Sequence, residues 1–361
     1  MTPSDEKITL DRFLKAQDSL VLQASDLSLA SLSDMVSKGA IDLQPHYQRR
    51  ARWKEDKQSA LIESFLLNVP VPPIYLSEDD FGSYSVIDGK QRLTAVHSFM
   101  TNTLRLKELR DFPELNKCCF DDLPTQLHNA LVIRPYFRVV TLLKQTDPDL
   151  KYEVFLRLNT GGDHLNPQEI RNVAFSGRFN DLLIKLSANL FLRERLRIDG
   201  TNSSAYMKMD DVEHVLRFFT TKHLWQEMGG SLASTMDMFM AANRGARGDT
   251  LIEFEYDFNR AIDGCQAIWG QHSFYKPNGQ GWREQMISTL YDAQMVAVSR
   301  LTDPQLESAK TKSGEILNAT RDLFAHNVEF VKSVTQATNN SFNVRCRIEE
   351  LYFMMLQIIE A

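Results

Sequence analysis

Tyr84-Ser85-Val86-Ile87-Asp88-Gly89-Lys90-Gln91-Arg92-Leu93-Thr94 decides how this chain is read. Tyr84 to Ile87 has the look of a short buried strand. Leu93, Val96, Phe99 and Met100 then recur at helical spacing, so the strand gives way to a helix within a few residues. Asp88-Gly89 supplies the tight turn, with Gly89 free to take a positive φ. A helix that starts there aims unpaired backbone N–H groups, and a partial positive charge, at whatever lies over the turn. Lys90 and Arg92 add cations and Thr94 a hydroxyl, which together suit a phosphate. The same residues also suit a solvated turn whose cations merely face water.

Two further segments bear on that choice. Pro45-His46-Tyr47-Gln48-Arg49-Arg50-Ala51-Arg52-Trp53-Lys54 places four cations within the six residues Arg49–Lys54, with aromatics on either side. Arginine offers a planar fork for phosphate oxygens, and Tyr or Trp can stack on a base. A basic surface turn anchored by a packed Trp53 is the plainer alternative. The second segment runs from Phe155 to Asn172. A helix from about Pro148, with Leu150, Val154, Phe155 and Leu158 on one face, ends at Gly161-Gly162. The next helix opens with Asn166 as N-cap, Pro167 at its first position and Glu169 where a capping box needs it. Glu169 therefore reads as structural. Arg157, Asn159 and Thr160 lie at a helix end beside a flexible glycine pair, which suits a closing loop as well as a plain helical hairpin.

Taken in order, these motifs resemble one family. Gln48-Arg49…Trp53, Ile62-Glu63-Ser64, Pro70-Val71-Pro72, Asp88-Gly89-Lys90-Gln91-Arg92-Leu93-Thr94, Arg157-Leu158-Asn159-Thr160-Gly161…Leu165-Asn166…Glu169-Ile170-Arg171-Asn172 and Met209–Phe218 are similar to the GmrSD-type restriction endonuclease N-terminal domain, or DGQQR, family. The commonest family spelling has Gln where this chain has Lys90, a change that keeps a long polar side chain and adds charge. The resemblance implies a ParB/sulfiredoxin-like fold, nucleoside-triphosphate hydrolysis and defence against foreign or modified DNA. It implies catalytic roles for Asp88 and Arg92, with Asp88 on Mg²⁺. It implies nucleotide contacts from Gln48, Arg49, Gly89, Lys90, Gln91, Thr94, Arg157, Asn159 and Thr160. Relatives often carry an HNH-type nuclease module, which is not apparent in this sequence. His326-Asn327 lies in an apolar helical pattern without a second histidine at metal-binding spacing. A separate effector or nuclease partner is the expectation.

Composition fits that picture. The chain has 361 residues, 43% of them hydrophobic and 24% charged, enough for two domains with sizeable cores. No apolar run approaches the ~20 residues of a membrane span, and residues 1–7 lack a signal-peptide core, so a cytoplasmic location is expected. Cys118, Cys119, Cys265 and Cys346 form neither a CxxC pair nor a zinc spacing, which fits reduced thiols. Residues 1–175 hold 21 Lys+Arg against 24 Asp+Glu and the rest 20 against 23, so each half stands at −3. That balance argues against a generic DNA-coating protein, although the Arg49–Lys54 cluster leaves local DNA contact open.

The expected fold is α+β: a mixed domain over residues 1–146, then an all-helical domain over 147–361. Helices are read over 28–39 and 56–69, and strands at 41–43, 74–76, 84–87 and 137–143. Apolar helical faces follow over 179–196, 206–226, 249–269, 283–302, 304–326 and 342–359. Three functions are open: a nucleoside triphosphatase acting as sensor or regulatory subunit in DNA restriction or anti-phage defence, a nucleotide switch with little turnover, or a ParB-like nuclease. Metal-dependent nucleases need several convergent ligands, and the core motif offers the single carboxylate Asp88, with Glu63 and Glu169 as distant candidates, which disfavours the third. A homo-oligomer is compatible with all three. An Arg92→Ala chain is expected to stay folded.

Overall fold

Alternation along two neighbouring strands builds the core of the N-terminal part of the chain. In a computed structural model that describes residues 3–43, 53–146, 148–158, 166–279 and 281–361, the chain divides into two compact units, Met1–Ala174 and Phe175–Ala361. The first holds a five-stranded mixed sheet of β1 (Leu22–Ser28), β2 (Ile41–Asp42), β3 (Ile74–Asp80), β4 (Ser83–Asp88) and β5 (Tyr136–Leu142), in the order β1-β5-β3-β4-β2. Strands β3 and β4 form an antiparallel hairpin across Phe81-Gly82, where Gly82 takes φ +78°. Strand β5 runs parallel to β3, β2 parallel to β4, and β1 antiparallel to β5.

Among the described residues, the α-helices of this unit are α1 (Pro3–Ser19), α2 (Leu29–Ser37), α3 (Glu55–Leu66), α4 (Lys90–Met100), α5 (Thr125–Ile133), α6 (Pro148–Leu158) and α7 (Pro167–Ala174). Successive strand residues point to opposite faces, and each face has its own helical cover. Ile74, Leu76, Val86, Phe137 and Val139 share a core with Leu32 of α2, Ile62 and Phe65 of α3, and Leu93, Val96 and Phe99 of α4. Ile87 and Leu142 share a second core with Phe155 of α6 and with Ile170 and Val173 of α7. The α6–α7 pair therefore packs with the sheet unit, and the unit boundary falls after Ala174 rather than near residue 146. Its buried apolar face, not its helical character, decides where it belongs.

Strand β1 has no counterpart among the strands read from sequence. It is an edge strand, Leu-Gln-Ala-Ser-Asp-Leu-Ser, and most of its residues are exposed, so it lacks the apolar alternation that marks a strand. Its partner strand supplies the pairing that its composition does not.

The second unit contains α8 (Arg178–Leu186), α9 (Leu190–Arg195), α10 (Ser204–Met207), α11 (Asp210–Leu224), α12 (Leu232–Asn243), α13 (Asp249–Trp269), α14 (Ser288–Ser299), α15 (Asp303–Thr311), α16 (Ser313–His326), α17 (Val328–Thr335) and α18 (Ser341–Glu360). It also contains an antiparallel hairpin, β6 (Tyr275–Asn278) with β7 (Gly281–Met286). The unit is thus helical with one hairpin inserted between α13 and α14. Aromatic rings fill its centre: Phe179 lies 5.1 Å from Phe254 and 5.8 Å from Phe239, and Phe219 lies 5.0 Å from Phe254. Helices α13 and α14 approach closely at Gly264, where a Cβ would stand 2.6 Å from Val298 Cγ1.

One buried polar cluster ties three distant helices. Asp292 on α14 accepts from Arg217 of α11 at 3.1 and 2.6 Å and from Arg347 of α18 at 3.1 Å. Arg347 also donates to the Ser333 and Thr338 carbonyls, so the second guanidinium is matched by neutral acceptors. Among the described residues no helix is long and apolar enough to cross a membrane. All four cysteines are unbonded.

Candidate functional site

Gly89 makes the strand-to-helix corner possible. It adopts φ +96°, and a Cβ there would meet Ile74 Cγ1 at 3.0 Å and Arg92 Nη2 at 3.4 Å. The residue is required both for its left-handed backbone and for its lack of a side chain. Helix α4 begins at the next residue, and no side chain caps it among the described residues. Its first ladder bond is Leu93 N–H to the Gly89 carbonyl, 2.9 Å. The amides of Lys90, Gln91 and Arg92 precede that bond and belong to the helix start that favours anions.

Asp88 ends β4 with its carboxylate engaged on both oxygens. Oδ1 accepts the Gly89 N–H at 2.7 Å and Oδ2 accepts Arg92 Nη2 at 2.8 Å. Its side chain is nevertheless 42% exposed, against 11% for Arg92, so one partner faces solvent and the other does not. Arg92 Nη1 reaches the Pro72 carbonyl at 2.5 Å and the Pro73 carbonyl at 2.9 Å. The guanidinium thus closes a ring of contacts between α4, the end of β4 and the proline segment that follows α3. The residue holds three separate acceptors, so Arg92→Ala carries a stability cost that the expectation of a folded chain did not include.

The other motif residues divide similarly. Thr94 Oγ1 donates to the Lys90 carbonyl at 2.9 Å, one turn back along α4. Gln91 Oε1, in its side-chain amide, accepts the Trp53 main-chain N–H at 3.0 Å, and Gln58 Nε2 donates to the Trp53 carbonyl at 2.8 Å. Trp53 packs against the larger core of the sheet unit, with the Lys57 ammonium 4.5 Å from its ring centre. Gln91 therefore ties the chain just after the Arg49–Arg52 cluster directly to the corner. Gln48, Arg49, Asn159 and Thr160 lie outside the described residues. Arg157 is at the end of α6, paired with Glu153 at 2.5 Å and largely exposed. Leu158 packs against the same core as Ile87, the neighbour of Asp88.

Both distant carboxylates are structural. Glu63 accepts the Asp111 and Phe112 N–H groups at 2.8 and 3.3 Å. Glu169 accepts the Asn166 N–H at 2.7 Å while Asn166 Oδ1 accepts the Glu169 N–H at 2.8 Å, the reciprocal pair of a capping box. Among the described residues no three His, Cys, Asp or Glu side chains converge as a metal cluster. The roles of Pro72 and Pro73 as carbonyl acceptors went unread in the sequence. Prolines lack N–H donors, so a Pro-rich segment leaves carbonyls looking for partners, and a nearby Arg is the natural donor.

A five-stranded mixed sheet with a glycine-dependent strand-to-helix corner, covered by helices on both faces, defines the class of the first unit. Residues 32–176 match the family model described as GmrSD restriction endonuclease, N-terminal domain. This segment belongs to the GmrSD-type N-terminal domain family, which associates the chain with restriction and defence systems. No curated protein and no solved structure matches the chain significantly.

Proposed function

We propose that the sheet unit binds a nucleoside triphosphate with Mg²⁺ at the Asp88–Thr94 corner, hydrolyses it, and acts as the sensor or regulatory part of a restriction or anti-phage defence system. The observation that carries this reading is the glycine-dependent turn from β4 into α4. The first amides of α4 and Lys90 lie beside a half-exposed carboxylate, and Gly89 admits close approach of a ligand. Asp88 keeps lone pairs beyond its two bonds, and Mg²⁺ commonly needs only one or two protein carboxylates when phosphates supply the other ligands. When bound, the metal would neutralise charge on the phosphates. Lys90 and the α4 amides would orient the same group, and Arg92 would hold Asp88 in place rather than touch substrate. Trp53 and Gln91 would fix the Arg49 segment beside the nucleotide, with Arg157, Asn159 and Thr160 closing over it from the α6–α7 connection.

One observation favours a second reading, a switch with little turnover. The guanidinium best placed to stabilise a transferring phosphoryl group is committed to Asp88, Pro72 and Pro73. Under either reading, DNA cleavage falls to a separate effector, and DNA contact rests on the Arg49–Lys54 cluster. A thermal-shift screen of the four ribonucleoside triphosphates with and without Mg²⁺, followed by phosphate-release assays, tests both. Stabilisation with turnover supports the triphosphatase, and stabilisation without turnover the switch. No stabilisation by any of them overturns nucleotide binding.

A further inference from the structure

The helical unit contains a cavity of about 370 Å³ that the Asp88 corner does not use. Leu196, Arg197, Ser204, Asp210, His214 and Ser288 are among its walls. Two of these side chains are arranged for proton transfer. His214 Nδ1 lies 2.6 Å from the Asp210 main-chain oxygen, which can only accept, so this nitrogen carries the proton. Nε2 is then the acceptor, and the Ser288 hydroxyl, 3.0 Å away, donates to it. The carbonyl of Asp210 serves as the orienting third group, the part a carboxylate plays in a catalytic triad. The imidazole is further fixed edge-on against Tyr291, ring centres 5.2 Å apart. Burial and the nearby Arg217 guanidinium hold His214 below its usual pKa, which keeps the imidazole neutral and leaves the Nε2 lone pair facing the Ser288 hydroxyl.

Ser288 is also placed for attack. It is the first residue of α14, a twelve-residue helix entered from strand β7. The first ladder bonds come from the Leu290 and Tyr291 amides, both to the Ile287 carbonyl at 3.0 Å. The Ser288 and Thr289 amides precede them, and a helix start favours an oxyanion.

We propose that Ser288 is a nucleophile activated by His214, and that the cavity takes a small carboxylic ester or comparably activated acyl compound. The Ser288 Oγ–H proton passes to His214 Nε2 as Oγ bonds to the acyl carbon. Collapse breaks the acyl–oxygen bond of the ester, and the departing alkoxide leaves as the alcohol with that proton. Water, deprotonated by the same nitrogen, then releases the carboxylic acid and restores Ser288.

An alkyl fluorophosphonate tests this on the full chain, since Oγ–P bond formation with loss of fluoride needs the same nucleophile and base. Peptide mass spectrometry is expected to find one adduct per chain, on Ser288, formed at least ~100-fold faster than on Ser204, which lines the same cavity but lacks the histidine. The His214→Gln chain is expected to lose most of that rate, and p-nitrophenyl acetate to give a burst of one p-nitrophenol per chain. An unlabelled Ser288 in the folded native chain overturns the proposal whether or not any variant folds. A labelling rate no greater than that of Ser204, or one unchanged by His214→Gln, does the same.

Discussion

Arg92 holds Asp88 across the Gly89 turn, Nη2 to Oδ2 at 2.8 Å, while its other terminal nitrogen spans the carbonyls of Pro72 and Pro73. Removing the guanidinium leaves Asp88 and two carbonyls short of a donor. Arg92→Ala is therefore expected to destabilise the sheet unit by about 2–4 kcal/mol, read as a lowered first transition in chemical denaturation. Arg92→Lys recovers less than half of this, because a single ammonium cannot span a fork of acceptors. An Arg92→Ala unit as stable as the native one would show that the three contacts contribute nothing net.

Asp88→Asn separates anchoring from chemistry. The amide keeps an oxygen for the Gly89 N–H but loses the charge opposite Arg92. A stability loss of about 1–2 kcal/mol is expected, together with a fall in triphosphate turnover of about 100-fold or more. Phosphate release measured alongside the melt distinguishes the two effects. Native turnover in a folded Asp88→Asn chain would leave Asp88 with anchoring alone.

Gly89→Ala tests the corner sterically. At φ +96° an alanine is strained, and its Cβ would press on Ile74 at 3.0 Å. A cost of about 1–3 kcal/mol is expected, with nucleotide stabilisation lost because the helix start shifts. Retention of both the native melting point and nucleotide binding would argue that the turn tolerates a side chain.

In the helical unit, burial and then the Glu213 charge raise the Asp210 carboxyl to about 6. The folded value exceeds the unfolded one, so this group's stabilisation is complete below the unfolded pKa near 3.8 and is lost as pH rises through about 6. Asp210→Asn should remove that loss. Because the carboxyl is only partly shielded and sits in the first turn of α11, where a negative charge is favoured, the net gain at pH 7.5 is expected to stay below about 1 kcal/mol. Melting curves at pH 4 and 7.5 check the sign: the gain is present at the higher pH and absent at the lower. Equal effects at both would exclude the titration as its cause.

The sheet centre was readable because chemistry and periodicity agree there. Val86 and Ile87 alternate between two cores, Asp-Gly makes the turn, and Leu93, Val96 and Phe99 face inward. The Asn166–Glu169 box was legible for the same reason, since its partners lie three residues apart. Long-range geometry was not. Nothing local announces that Arg92 turns back to Pro72, or that Trp53 bonds Gln91 from 38 residues away. The β6–β7 hairpin was hidden by a helical reading of residues 283–302, although Asn278-Gly279 is a strong hairpin signal and Gly279 takes φ +58°. His214 and Ser288, 74 residues apart, could be joined only by tertiary packing.

The Arg217–Asp292–Arg347 cluster has a consequence for synthesis on the ribosome. Domains generally fold as units while the chain is being made. Here the buried carboxylate of α14 can be paired by Arg217 as soon as both have emerged, but Arg347 arrives 55 residues later. Without α18 docked, Asp292 has one guanidinium partner of the two, and the Ser333 and Thr338 carbonyls lack the Arg347 donor. The docking of α18 is thus what completes this cluster, since Arg347 links the Asp292 carboxylate to the Ser333 and Thr338 carbonyls.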